Sequence, residues 1–150
     1  MAVLVRGIEA KDRPEWEGLY AAYAAFYEVE QTAQMREVVW NWLMDPAHEV
    51  NCFVAELNTE LVGLAHYRPF ARPLAAGIGG YLDDLFVSPK ARGAQAGDAL
   101  IGAVRQEAAA RGWGVVRWIT ADDNYRARGL YDQVALRTGW ITYDLTPEGE

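Results

Sequence analysis

The sequence predicts a mixed α/β fold, with a central, mixed and mostly antiparallel sheet and helices on both of its faces. Three observations carry this: two helix-spaced stretches before residue 46, a strand–turn–strand pattern over residues 52–67, and strands alternating with helices from Tyr81 onward. With 150 residues, 51% hydrophobic and 23% charged, the chain has the proportions of a single globular domain, residues 1–150.

Taken in order, Ala2 to Ile8 alternates loosely and is rich in branched residues, which predicts a first strand. Asp12 followed by Glu15 has the form of a helix cap, and Trp16, Leu19, Tyr20, Tyr23, Phe26 and Tyr27 then recur at helical spacing. From about Thr32, the residues Met35, Val38, Val39, Trp42 and Leu43 repeat that spacing until Asp45-Pro46 stops it. Cys52–Leu57 and Leu61–Tyr67 read as a hairpin joined by the polar turn Asn58-Thr59-Glu60. Pro69 to Gly80, rich in Pro, Gly and Ala, reads as a loop bordering a binding site. A strand over Tyr81–Val87 follows, then a glycine-containing turn and a helix that runs to about Arg111, with Gly112 as its stop. Val115–Thr120 reads as a strand, Asn124–Val134 as a helix and Ile141–Leu145 as a final strand.

Composition narrows the function. A formal charge of -7 opposes approach to nucleic acid or anionic membrane and favours small cationic partners. The single cysteine, Cys52, lies in a hydrophobic strand pattern and reads as core rather than nucleophile. His48 and His66, the two histidines, have no spacing that gathers metal ligands, so no metal is expected. Without a secretory pattern or bilayer-length apolar run, the expected compartment is the cytoplasm. Six tryptophans on helices and strands suit a core or a subunit interface, and a homodimer is one arrangement they allow.

The most informative segment is the strand, turn and helix from Tyr81 to Arg111, with Arg92-Gly93-Ala94-Gln95-Ala96-Gly97 at the turn. Helix amino termini expose unpaired backbone N–H groups, and glycine lets a phosphate approach them, so such a turn can hold a pyrophosphate. It lacks the Gly-Lys-Ser/Thr of a Walker A loop and the glycine spacing of a dinucleotide fingerprint.

Here the chain resembles the GNAT superfamily of N-acetyltransferases. In that family an acidic, aromatic and aliphatic strand leads into Q/R-x-x-G-x-G/A, and N-x-x-A-x-x-x-Y opens a later helix. This sequence has YLDDLFVSP, then ARGAQAG, then Asn124, Ala127 and Tyr131 in that order and spacing. The strong likeness covers about Tyr81 to Trp140, and YLDDLFV looks most like the matching strand of diamine N-acetyltransferases.

The resemblance implies acetyl-CoA as the acetyl-donating cosubstrate. It places the pantetheine arm along the backbone of Leu85, Phe86 and Val87, and the pyrophosphate on Arg92, Gly93, Ala94, Gln95, Ala96, Gly97 and Asp98. A further contact falls on Asn124, Arg126 and Ala127, where Asn124 also reads as a plain helix cap. Gln95 replaces the motif's middle glycine and Asp98 adds negative charge, and both bear on how well the turn takes phosphate.

Acetyl transfer by direct attack of an amine on the thioester needs a base for the amine and an acid for the departing sulfur. The resemblance implies Tyr131 as the acid, whereas periodicity alone places it on an apolar helix stripe with Leu130 and Val134. Asp83 aligns with the family's strand carboxylate and is the favoured base, with bulk water as the other route. Strand alternation sends Asp84 to the opposite face. His66, Tyr67 and Arg68 end a strand near the expected acceptor pocket and carry no assigned role. The function implied is acetyl-CoA-dependent acetylation of a primary amine, the alternative being an acyl-CoA-binding module without catalysis.

Overall fold

The structure, a computed structural model, describes residues 2–148. Its elements run β1 (Leu4–Gly7), α1 (Arg13–Phe26), α2 (Ala33–Met44), β2 (Asn51–Leu57), β3 (Glu60–Arg72), β4 (Gly77–Val87), α3 (Ala96–Arg111), β5 (Val116–Arg117) and α4 (Tyr125–Val134). The chain divides into two compact units, Met1–Ile119 and Thr120–Glu150.

The first unit is built on one sheet of order β1-β2-β3-β4-β5. The first four strands are antiparallel to their neighbours and β5 runs parallel to β4. Tight turns explain the antiparallel part. Asn58 and Thr59 both take positive φ, 54° and 64°, which is the twist a two-residue hairpin needs, and Glu60 already belongs to β3 opposite Leu57. Thr32 caps α2 by accepting from the Met35 N–H at 3.1 Å. Gly112, at φ 73°, closes α3 where the sequence expects its stop.

Helices cover both faces. On one, α1 and α2 bring Trp16 and Trp40 onto Cys52, Val54, Leu61 and Leu64, a cluster from which water is excluded. On the other, α3 approaches so closely at Gly63 that a Cβ there would lie 2.9 Å from the Phe86 carbonyl oxygen and 3.1 Å from a Leu100 methyl. The lone cysteine is inside the first cluster, and burial pushes its thiol well above the ordinary range, which leaves it inert.

Three expectations about this unit are corrected. Residues 69–80 form no loop: β3 continues to Arg72, a short helical turn reverses the chain and β4 begins at Gly77, so these residues extend the hairpin. Pro69 is tolerated because it sits beyond the pairing of Tyr67 with Asn51, the first residue of β2, and its missing N–H leaves no ladder bond unmade. Asp12 and Glu15 do not cap α1. Asp12 is buried and accepts from Arg6 at 2.8 and 2.9 Å and from the Glu9 N–H, while Glu15 accepts from the Leu61 N–H at 2.9 Å. The strand expected over Val115–Thr120 shrinks to Val116–Arg117.

The second unit contains α4, whose Leu130, Tyr131 and Val134 are half-buried. Ile141–Leu145 forms no strand. Alternating residues give strand propensity, but a strand exists only where another backbone pairs with it, and no ladder among the described residues includes this segment.

Candidate active site

Strand β4 has two different halves. From Gly77 to Tyr81 it carries β3 on one side, and β5 reaches it on the other at Gly80 and Tyr81. From Leu82 to Val87 the sheet pairs it with β3 alone. The Ser88 N–H donates to the Val62 carbonyl at 2.7 Å, so by alternation the N–H and C=O of Val87 and Leu85 face away from β3, along the open edge.

Between these halves the register slips. His66 pairs with Asp84 and Tyr67 with Leu82, which leaves Asp83 as an extra residue, a β-bulge. The bulge overturns the expectation that Asp83 and Asp84 point to opposite faces. Both carboxylates line one cleft of about 480 Å³ on the α1–α2 side of the sheet. Tyr20 of α1, Trp42 of α2 and Glu49 of the segment before β2 help to wall it.

The two carboxylates have different surroundings. Asp83 accepts from the Arg68 guanidinium at 2.9 and 3.3 Å. Burial nonetheless holds its carboxyl above the ordinary range, against the pull of Arg68 and with help from the neighbouring charge of Asp84. For Asp84, burial alone would act in the same direction, but donors to the charged form prevail and its carboxyl is lowered. Oδ2 of Asp84 meets His66 Nδ1 at 2.8 Å and accepts from the Tyr20 hydroxyl at 2.9 Å, with Tyr23 as a further donor. Burial and the adjacent Asp84 charge push both tyrosine hydroxyls up, so they remain donors.

His66 and Arg68 line the cleft, while Tyr67 turns to the other side and meets the Trp113 ring edge-on. The pattern was present in the sequence: a His and an Arg stand two apart on one strand and two adjacent acids on the next, and the structure sets His66 across from Asp84 while Arg68, across from Tyr81, reaches Asp83. Without the register, those four residues cannot be joined.

The turn after Val87 is partly as expected. The Arg92 and Ala94 N–H groups already donate to Pro89 and Ala91 carbonyls, so those two are not available as phosphate donors. The α3 ladder opens with Ala99 donating to Gln95, which leaves the N–H groups of Ala96, Gly97 and Asp98 ahead of the first helical bond. Gln95 occupies the left-handed region at φ 61°, ψ 30°, the conformation in which glycine costs least. Gly93, at φ 88°, has open space around it, and the Arg92, Gln95 and Asp98 side chains are exposed. An open strand edge beside a run of unpaired amides is a fitting bed for a thioester carrier with a diphosphate. In the second unit, Asn124 caps α4 by accepting from the Ala127 N–H at 3.4 Å, and Arg126 is exposed.

The model of the acetyltransferase (GNAT) family matches residues 16–135. The chain belongs to this GNAT family. It is an acetyltransferase, and enzymes of this family take their acetyl group from acetyl-CoA. A D-amino-acid N-acetyltransferase of Saccharomyces cerevisiae is 28% identical over 143 residues, 94% of this chain and 89% of that protein. In fold, the chain is similar to the ribosomal-protein-alanine N-acetyltransferase of Brucella melitensis biovar Abortus, with a TM-score of 0.81 at 23% identity over 97% of this chain and 99% of that one. It is also similar to an aminoglycoside N-acetyltransferase solved in complex with CoA, with a TM-score of 0.83 at 15% identity over 96% and 94% of the two chains.

Proposed function

We propose that this acetyltransferase moves an acetyl group from acetyl-CoA to the primary amine of a small cationic acceptor held in the cleft beside β4. The single observation that carries the reading is the bulge at Asp83, which turns two adjacent carboxylates into one cleft at the start of an open strand edge. Three carboxylates, Glu49, Asp83 and Asp84, face one guanidinium, Arg68, and that excess of negative charge favours a cation. The likeness of YLDDLFV to diamine acetyltransferases makes diamines the first acceptors to try.

When bound, acetyl-CoA supplies a thioester carbonyl that a neutral amine attacks. Asp83 is the base that takes the amine proton; its raised carboxyl makes it a better acceptor than an ordinary aspartate. Tyr131 is the acid for the departing sulfur. Leu85 and Val87 pair with the pantetheine arm, whereas the backbone of Phe86 between them is turned to β3, contrary to the sequence expectation; the amides of Gln95 to Asp98 take the diphosphate, and residues 124–127 give the remaining contact. The family match spans α4 as well as the sheet, which supports one functional domain over residues 1–150.

Among the described residues, no helix is long and apolar enough to cross a membrane. Exposed Phe26, Val29, Met35 and Val38 on the α1–α2 pair support a homodimer, and a monomer by light scattering at micromolar protein would contradict it.

The test is thiol release from acetyl-CoA over a panel of amines, with Tyr131→Phe beside the unaltered enzyme. The variant is expected to keep its acetyl-CoA affinity and lose turnover by about 100-fold or more. Equal turnover would remove Tyr131 from the chemistry, and no release with any amine would sink the reading.

A further inference from the structure

One buried polar chain runs from the core into the cleft. The Trp16 indole N–H lies 3.0 Å from His66 Nε2, and His66 Nδ1 lies 2.8 Å from Asp84 Oδ2. Trp16 is 0% exposed and His66 1%, so neither has water as an alternative partner. An indole nitrogen can only donate. His66 Nε2 is therefore the acceptor, the ring proton sits on Nδ1, and that proton points at Asp84. The tautomer is fixed by a tryptophan on α1 that the reaction does not touch.

An imidazole is a costly residue to bury for packing alone, since each of its nitrogens must find a partner. Here both partners are in place and the far end of the chain is a carboxylate that opens on the cleft. Tyr20 donates to the same oxygen of Asp84 from α1, so the carboxylate is gripped from the sheet and from the helix together.

We propose that His66 is a positioning residue for the acetyl transfer: pinned by Trp16, it holds Asp84 as a fixed anion in the cleft wall, where the ammonium group of the acceptor docks. This rests on the reading of the cleft as the acceptor site. Asp84 then binds the cation and Asp83, one residue away on the bulge, takes the proton, so the neighbouring acids divide recognition from chemistry. Geometry enforces the division, because the donors that hold Asp84 charged also make it a poor proton acceptor.

Two measurements test it. The first is the ¹⁵N NMR signature of His66 in the unaltered protein, which reads the tautomer without any reaction. Protonation at Nδ1 and a bare Nε2 are expected. A proton on Nε2 would overturn the proposal, whatever the enzyme's substrate proves to be.

The second is a pair of substitutions assayed with a diamine. His66→Leu removes the donor, and KM for the amine is expected to rise about tenfold to a hundredfold, the effect of losing one hydrogen bond to a charged group. Acetyl-CoA affinity should not change. His66→Asn places an amide N–H near the position of Nδ1 and is expected to recover most of the loss. If the asparagine variant is no better than the leucine variant while both bind acetyl-CoA normally, His66 is a packing residue and the proposal fails. Absence of diamine acetylation by the unaltered enzyme, with the Nδ1 tautomer present, would instead fail the acceptor reading alone.

Discussion

The two halves of β4 differ in what their neighbours demand. Gly77 to Tyr81 is constrained by packing: at Gly79 an added Cβ would lie 2.7 Å from the Phe70 ring, and at Gly80 it would run into the Trp113 ring. Leu82 to Val87 has a strand on one side only, and the bulge at its start redirects two acids into a cleft. One strand thus serves as packed scaffold at its beginning and as the wall of a cleft at its end. The residue types follow this split, glycines where neighbours crowd in and acids where space is left. The lesson is that a single slip of register separates the packed part of a strand from the part that opens on a cleft.

The largest effect expected from breaking this comparison is on turnover. Asp83→Asn keeps the shape of the bulge residue and removes its basicity, and kcat should fall by about 100-fold to 10,000-fold. The pH profile adds a sign. If Asp83 is the base proposed, it acts when deprotonated; its carboxyl is raised, chiefly by burial, so kcat/KM of the unaltered enzyme should climb with pH through a value above the ordinary carboxylate range. In Asp83→Asn that acidic limb should vanish. A limb that survives would assign it to another group.

Next in size is a change in the other half. Gly80→Val forces a side chain against Trp113 and should cost about 2–3 kcal/mol in chemical denaturation, while the folded fraction keeps its KM for the amine. A shift in KM as large as the loss of stability would mean that the two halves are not separable. The smallest effect lies beyond the end of the strand. Gln95→Gly relieves a left-handed residue and should add about 1 kcal/mol of stability with tighter acetyl-CoA binding. Weaker binding would show that the Gln95 side chain itself contacts the cosubstrate.

Much of this was legible before the structure. The helices of Trp16 and Trp42 announced themselves by spacing, Gly112 by its position after an apolar run, and the strand, turn and helix up to Arg111 by YLDDLFV followed by ARGAQAG. What could not be read was pairing. Asp83 and Asp84 look like residues on opposite faces until the partner strand shows that one is an insertion. Pro69–Gly80 looks like a loop because Pro and Gly are turn residues, yet a proline past the end of a neighbouring strand and glycines under the Phe70 and Trp113 rings are good strand residues there. Ile141–Leu145 fails in the opposite direction, with strand-like residues and no partner. His66 was passed over for the same reason, since both groups that give it meaning, Trp16 and Asp84, are distant in sequence.

The most direct measurement is amide hydrogen exchange at single-residue resolution, with and without acetyl-CoA. If the open edge receives the pantetheine arm, the Leu85 and Val87 amides should slow on adding the cosubstrate. The Gly80 amide, already bonded to the Val115 carbonyl at 2.8 Å, should not change. Saturating acetyl-CoA that leaves Leu85 and Val87 exchanging at their original rates would contradict the account.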